Sequence, residues 1–380
     1  MADVRDRTKA QRRIVRRDSA AAAAGLQESG HRSLRRCVLV GAGLVLLASA
    51  CSSNASPRQG PEADTGSATT VIDDTTTTTS FETLVSDRRE IEARYQAGVP
   101  LFRYDQSAPL GIEESPPVNE GQHTVQDLRF TSPKGGQVVA TVVTPQGPGP
   151  FAALILVDAD NRLDWLFLAR NYADSLDVLS IMVDPPLARS PEVDRPALGF
   201  ALTERDRQEQ IQFVIDLRRT IDLLEARPDI DPGRIGVRAW GVGAEYGALL
   251  AGVEDRIRAY QLVNLVGGPV TFFSSTDPTD PDTKAFWDLA AEQREAWLRA
   301  MAPIEPVYYI GHASPAHLLF QLEDRDFFRD NTRLLLNVAS EPKDVRWLPH
   351  PHGPSDDCDA AAWFAPHLGL PDVPLNPSCP

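Results

Sequence analysis

Short apolar runs alternate with helix-like segments along the chain from residue 123 onward. In the runs 152–157 and 178–183 almost every residue is apolar, which is typical of strands buried on both faces of a sheet. Between such runs, Ile211, Val214 and Leu217 recur every three or four residues and predict an amphipathic helix. Strands that alternate with helices need crossover connections. The pattern therefore predicts an α/β fold, with a mostly parallel sheet and helices on both faces.

A β-hairpin is predicted at one edge of this sheet. The β-like runs 124–131 and 137–144 are separated by Pro133-Lys134-Gly135-Gly136, a typical turn sequence. Towards the C-terminus, the pattern predicts that 282–301 is helical and that a closing helix spans 360–368. We therefore assign residues 123–380 to one α/β domain, preceded by an N-terminal extension at 81–122.

The first 50 residues have the features of an export signal. They hold ten Lys or Arg against four Asp or Glu, whereas the whole chain carries a net charge of −15. Arg35 and Arg36 precede the apolar stretch 38–48, and small residues follow it, as in a secretory signal peptide. Residues 51–80 are rich in Ser and Thr and cannot bury enough apolar area to fold, which predicts a flexible linker.

The segment Leu47-Ala48-Ser49-Ala50-Cys51 resembles the lipobox of bacterial lipoproteins, although Ala48 stands where that family usually has Leu. The resemblance implies that Cys51 carries a lipid, which would anchor the chain on the outer face of the bacterial cytoplasmic membrane. An ordinary signal peptide with an incidental cysteine is the alternative. Cys358 and Cys379 are expected to form a disulfide in an oxidising compartment, and two free thiols are the alternative.

The acidic composition restricts the partners of the folded part. Because the signal region is basic, the remainder of the chain is more acidic than the chain as a whole. A nucleic-acid-binding protein needs a basic face, so we expect no nucleic-acid partner. The four cysteines lack zinc-finger spacing, and we expect no cofactor.

The segment 229–237, Asp-Ile-Asp-Pro-Gly-Arg-Ile-Gly-Val, resembles the lead into the nucleophile strand of α/β-hydrolases. The segment resembles that of dienelactone hydrolases and acyl-peptidase-type serine esterases, and with the order of elements over 123–368 this resemblance implies the α/β-hydrolase fold. In that family the strand runs into Gly-x-Ser-x-Gly, whose serine occupies a sharp strand-to-helix turn. Here Gly241 stands at the nucleophile position, and a register shifted by two residues would place Gly243 there.

The same resemblance assigns the other two positions of a catalytic triad. Asp326 matches the acid that orients the histidine in the family. His352, which precedes a glycine, matches the histidine, and His350 is the alternative. The chain order of turn, acid and histidine is that of the family.

The oxyanion-hole region departs from the family. Asp158 and Ala159 stand where the family usually has His-Gly, and Val242 follows the nucleophile position. Backbone N–H groups in this region stabilise the negative charge that develops during ester hydrolysis, and a carboxylate would oppose that charge.

These departures predict a non-catalytic pseudo-hydrolase, which uses its crevice to bind a small molecule or a protein partner. The alternative is an active ester or thioester hydrolase with a rearranged site. Its base would be Asp158 with His352 nearby, or its nucleophile would be Ser274 or Ser275. A purely structural envelope protein is a third alternative.

Several aspartates follow predicted strands or lie in the histidine loop. Such carboxylates could bind a cation such as Ca²⁺ or a cationic ligand, or could simply reflect an acidic surface, and we assign no metal site. They are Asp158, Asp160, Asp184, Asp326, Asp356 and Asp357.

Overall fold

Ten strands form one mixed sheet in residues 87–349 and 354–370, the part of the chain that the computed structural model describes, with the backbone alone for 354–358. The strands are β1 (Glu113–Glu114), β2 (Val118–Asn119), β3 (His123–Thr131), β4 (Gln137–Pro145), β5 (Phe151–Val157), β6 (Val178–Val183), β7 (Ile230–Trp240), β8 (Ala259–Val263), β9 (His317–Glu323) and β10 (Lys343–Leu348).

Helices connect the strands of this sheet. They are α1 (Arg88–Gly98), α2 (Leu166–Leu176), α3 (Pro186–Arg189), α4 (Glu204–Glu225), α5 (Val242–Ala251), α6 (Pro269–Ser275), α7 (Lys284–Trp287), α8 (Ala291–Met301), α9 (Asp326–Val338) and α10 (Pro354–His367). The predicted α/β fold class is confirmed.

The strand order is β1-β3-β4-β6-β5-β7-β8-β9-β10, and β2 also pairs with β3. Every pairing from β6 to β10 along this order is parallel. The strands β3 and β4 form the predicted antiparallel hairpin, and β4 pairs antiparallel with β6. Because the parallel strands point the same way, their carboxyl ends meet at one edge, where open α/β sheets bind ligands.

Apolar layers cover both faces of the sheet. All seven residues of β5 are buried, which explains the continuous apolar run in the sequence. Ile155 belongs to the layer that includes Phe213 of α4. Leu154, on the opposite face, belongs to the layer that includes Tyr172 of α2 and Phe364 of α10. The two layers fix α4 and α5 on one face and α2 and α10 on the other.

The segment 282–301, predicted to be helical, forms two helices, α7 and α8, with a break between them. The N–H of Ala290, which precedes α8, donates to the side-chain oxygen of Gln293 at 3.2 Å. The guanidinium of Arg294 donates to the carbonyl oxygens of Trp287 and Leu289. These side chains satisfy backbone groups that a continuous helix would pair internally, so the helix restarts at Ala291.

The described part of the N-terminal extension, 87–122, packs against the core of the sheet domain. Phe102 is fully buried in the core, and the hydroxyl of Tyr95 donates to the carbonyl of Gly252 at 2.9 Å. The short strands β1 and β2, which the sequence pattern did not predict, both pair with β3. The described residues fall within one compact unit.

Several predicted features lie outside the described residues and stay predictions. These are the signal at 1–50, the linker at 51–80 with the lipidated Cys51, the two histidines His350 and His352, and Cys379 with its disulfide to Cys358. None of the described helices is long and apolar enough to cross a membrane.

Candidate functional site

A sharp turn at Gly241 joins the end of β7 to the start of α5. Gly241 has φ 53° and ψ −122°, a positive φ that glycine adopts without steric penalty. Its N–H donates to the carbonyl of Val263 in β8 at 2.9 Å, and its own carbonyl accepts from the N–H of Ala244 at 3.0 Å. The turn has the strand-to-helix form of a nucleophile elbow, with Gly241 at its apex and Gly243 already within the helix.

The two glycines of the elbow have different surroundings. A Cβ atom on Gly241 would meet no atom within 4 Å. A Cβ atom on Gly243 would lie 2.7 Å from the carbonyl oxygen of Val157 and 3.2 Å from the Cα of Asp158. Gly243 therefore permits the close contact of α5 with the end of β5, whereas Gly241 is restricted only by its backbone angles.

The oxyanion-hole region lies where the end of β5 meets the start of α5. Val242 is the first residue of α5, so no carbonyl within its own helix can accept its N–H. Ala159 borders the same crevice as Val242. The carboxylate of Asp158 accepts from the N–H of Asp160 and from the indole N–H of Trp165, both at 2.8 Å. Both of its oxygens are therefore already bonded within the chain.

The predicted acid, Asp326, is the first residue of α9 and is exposed. It makes no hydrogen bond or ion pair with another residue in the described ranges. Asp324, two residues earlier, accepts from the guanidinium of Arg329 at 2.7 Å. The backbone N–H of Asp324 donates to the carbonyl of Leu348 in β10. Because His352 lies outside the described residues, a pairing of Asp326 with it stays a prediction.

Two tryptophans lie next to the elbow. Trp240 is the last residue of β7 and directly precedes Gly241. Its ring lies 5.5 Å from that of Trp165, centroid to centroid, at 43°. The guanidinium of Arg238 lies 5.6 Å from the ring centroid of Trp165 and donates to the hydroxyl of Tyr172 at 2.6 Å. The half-buried indoles thus provide apolar surface beside the elbow.

A small crevice opens beside the elbow, bordered by Val242, by Asp160 after β5, by α4 and by the turn at Leu198. Its space is about 20 Å³, enough for about one water molecule. Gln210 of α4 borders it and is only 2% exposed. Neither polar atom of its side chain has a hydrogen-bond partner in the described residues, which is uncommon for a buried amide.

Two buried carboxyl groups lie behind the elbow. Glu245 of α5 is 4% exposed, and Glu305 is fully buried. Glu305 accepts from the N–H groups of Val270 and Thr271, both at 3.0 Å, and from the Thr271 hydroxyl. Burial, and secondarily the nearby Glu305, raises the pKa of Glu245 well above its ordinary value; burial also raises the pKa of Glu305. Burial therefore favours the neutral form of both groups.

The alternative nucleophiles Ser274 and Ser275 lie away from the elbow crevice. Both are exposed at the end of α6 and line a different pocket of about 220 Å³, between α6 and α9, that shares no residue with the crevice. The hydroxyl of Ser275 donates to the carbonyl of Phe272 at 2.8 Å. Neither serine is positioned to act at the elbow.

The strand-end aspartates are mostly bonded to other groups rather than to each other. Asp158 is held by Trp165, and Asp184 accepts from Arg162 at 2.5 Å. Partial burial raises the pKa of Asp160, and the charges of Asp158 and Asp164 add to the effect. Within the described ranges, no group of three or more His, Cys, Asp or Glu side chains is placed to hold a metal ion.

The sequence interpretation missed Gln210, the neighbouring Arg195 and the paired indoles. A signal for Gln210 was present, because Asp206, Gln210 and Phe213 recur at the spacing of one helix face. All three are buried in the structure. Polar residues on a face that also carries buried aromatics indicate either a polar network or a ligand.

Comparison with known proteins gives likeness in structure but not in sequence. No protein-family profile and no curated protein sequence matches the chain. An acetyl xylan esterase from Paenibacillus sp. R4 covers 76% of this chain and 99% of its own length, with a TM-score of 0.58 and 15% identity. Acetyl xylan esterase 1 from Thermoanaerobacterium sp. JW/SL YS485 covers 76% and 98%, with a TM-score of 0.56 and 16% identity.

A 2,6-dihydroxy-pseudo-oxynicotine hydrolase is also similar, over 74% of this chain and 72% of its own, with a TM-score of 0.50 and 18% identity. At identities this low, the likeness concerns the course of the backbone and carries no substrate from one protein to another. It agrees with the fold that the elbow and the strand order indicate.

Proposed function

The chain has the α/β-hydrolase fold, and from that premise we propose that it is a non-catalytic binding protein, which keeps the elbow of a serine hydrolase without its nucleophile. The observation that carries the proposal is Gly241 at the apex of the turn between β7 and α5. A nucleophile there needs a hydroxyl, thiol or carboxylate, and glycine supplies none. The backbone that would present such a group is intact.

Features around the elbow support binding rather than a purely structural role. The carboxyl ends of the parallel strands form the usual ligand edge of an open α/β sheet. At that edge lie the indoles of Trp165 and Trp240 and the crevice bordered by Gln210. A buried amide without a partner in the described residues is uncommon, and binding sites use such groups for recognition.

The contacts of Asp158 hold its carboxylate in place. One of its oxygens accepts from the indole N–H of Trp165 and the other from the N–H of Asp160. Each oxygen keeps a second lone pair, so these contacts alone do not decide whether Asp158 could activate water. An active ester or thioester hydrolase is the outcome that would contradict the proposal.

Labelling with a fluorophosphonate probe tests the proposal. We expect no labelling of the wild-type chain. We also expect none of Gly241→Ala, which shares the backbone strain of a Gly241→Ser variant but has no hydroxyl. The variant Gly241→Ser restores the hydroxyl, and the space around Gly241 admits it. Labelling confined to Gly241→Ser would support an intact elbow that lacks only its nucleophile.

Labelling of the wild-type chain that persists in Gly241→Ala would contradict the proposal, because another residue would then act as nucleophile. The serine pair Ser274 and Ser275 can be tested in the same way. Loss of the wild-type label in Ser274→Ala or Ser275→Ala would identify the nucleophile and establish an active enzyme.

We further propose that the binding domain is exported and held at the membrane by lipid on Cys51, with 51–80 as a flexible spacer. The resemblance of the segment before Cys51 to a lipobox supports this location. Cys51→Ser should move the protein from the membrane fraction to the soluble fraction. Cys37→Ser, a matched change within the signal region, should leave it in the membrane fraction. Retention of the Cys51→Ser protein would contradict the anchor.

A further inference from the structure

The crevice beside the elbow contains buried polar groups that no described residue satisfies. Gln210 is 2% exposed, and its Nε2 and Oε1 atoms both lack a hydrogen-bond partner there. The side chain of Arg195 is 5% exposed, borders the same crevice, and has an Nε without a partner in the described ranges. Buried donors and acceptors are nearly always paired, so these groups need a partner that the described residues do not supply.

The carboxylates of the crevice are already bonded to other groups. Asp206 accepts from the indole of Trp297 and from the N–H groups of Ala201 and Thr203. Glu209 accepts from Arg195 at 2.8 Å and from Arg205. Neither carboxylate therefore has to be satisfied by a ligand, and the groups that remain are those of Gln210, Arg195 and the start of α5.

The remaining groups are three kinds of donor and one acceptor. The donors are the Nε2 of Gln210, the Nε of Arg195 and the backbone N–H of Val242, and the acceptor is the Oε1 of Gln210. A carbonyl oxygen only accepts and would leave the Oε1 unpaired, and an ammonium only donates. A hydroxyl oxygen donates once and accepts twice, so a single atom can pair with the Oε1 and with two of the three donors.

The size and charge of the crevice restrict the ligand further. Its space of about 20 Å³ corresponds to about one water-sized group, which a hydroxyl matches. Asp160, Asp206 and Glu209 border it and oppose an anion. The guanidinium of Arg195 and the N-terminus of α5 oppose a cation. A neutral group fits both conditions.

We propose that the elbow crevice binds a neutral, hydroxyl-bearing ligand, with one ligand hydroxyl bonded to Gln210 and placed against Arg195 and Val242. The inference rests on the proposed binding function, because a ligand that is held rather than hydrolysed must be recognised by groups such as these.

A saturation-transfer NMR titration of the full chain tests the proposal. The probes are methyl β-D-glucopyranoside, which is neutral and carries hydroxyls, and tetrahydropyran, a ring ether that accepts but does not donate. We expect the glucoside to bind and the ether to bind at least tenfold more weakly. Gln210→Met keeps the length of the side chain and removes both polar atoms. It should raise the Kd of the glucoside about tenfold, the effect of about one hydrogen bond.

The matched control is Gln208→Met, on an exposed position of the same helix, which should leave the Kd unchanged. Thermal unfolding of Gln210→Met should show a folded protein, so that weaker binding reflects the lost amide. An unchanged Kd in Gln210→Met, or no binding of the glucoside by the wild-type chain, would overturn the proposal. Neither result would be evidence for a hydrolase, because the fluorophosphonate experiment tests that alternative separately.

Discussion

Gly241 and Gly243 lie two residues apart at the start of α5, and different forces restrict them. Gly243 packs against the end of β5, where an added Cβ would lie 2.7 Å from the carbonyl oxygen of Val157. Gly241 has open space around it and is restricted only by its positive φ. Close packing therefore restricts position 243, whereas only the backbone angles restrict position 241. We expect the fold to tolerate a side chain at position 241 better than one at position 243.

The largest effect is expected for Gly243→Ala. The new Cβ would overlap a backbone carbonyl, which cannot move aside as a flexible side chain can, so α5 must shift away from β5. We expect a loss of about 3 kcal/mol in the free energy of unfolding. Urea denaturation followed by tryptophan fluorescence measures it. A variant as stable as wild type would show that the contact between α5 and β5 is not close.

A smaller effect is expected for Gly241→Ala. The new Cβ meets no neighbour, so the change adds only the strain of a non-glycine residue at φ 53°. That strain costs about 1–2 kcal/mol. The same denaturation series gives the value, and a loss equal to that of Gly243→Ala would remove the distinction between the two positions.

A pH-dependent effect is expected at Glu245, which lies on the same helix but faces the core. Burial raises its pKa above the ordinary value of 4.5, so the folded chain holds its proton more tightly than the unfolded chain. The contribution of this proton to the free energy of unfolding is complete below pH 4.5 and is lost as the pH rises towards the folded-state pKa of Glu245.

Glu245→Gln removes this titration while keeping the shape of the protonated side chain. The variant should resemble wild type near pH 4.5 and become progressively more stable than wild type as the pH rises. Thermal unfolding of both proteins from pH 4.5 to 8 measures the difference. A difference in stability that stays constant with pH would mean that Glu245 has the same pKa in the folded and the unfolded chain.

The smallest effect is expected for Asp326→Asn. The side chain is exposed and makes no hydrogen bond or ion pair with the described residues, so its removal should leave the unfolding midpoint unchanged. The same denaturation assay checks this. A clear loss of stability would point to a partner for Asp326 in the histidine loop.

The sheet was predictable because its strands are buried on both faces. The apolar composition of β5 and β6 directly predicts buried strands. The position of Gly241 followed from the segment 229–237 that precedes it. The strand β1 was not predictable, because Glu113–Glu114 is exposed and owes its form to pairing with β3. The break between α7 and α8 depends on contacts of Gln293 and Arg294 that periodicity does not reveal.

The crevice was less predictable than the elbow. Val242 and Asp160 come from neighbouring strand ends, whereas Gln210 comes from α4 and Arg195 from the connection before it. Their meeting depends on how α4 packs on the sheet, and a one-dimensional pattern does not specify that packing. The absence of partners for Gln210 is likewise a property of the folded chain.

Hydrolysis of 4-nitrophenyl acetate by the purified chain tests the central claim, that the elbow is present without chemistry. Our account predicts a rate equal to that of buffer containing the His352→Ala protein at the same concentration. A higher wild-type rate that disappears in His352→Ala would contradict it, because the site would then be a working esterase.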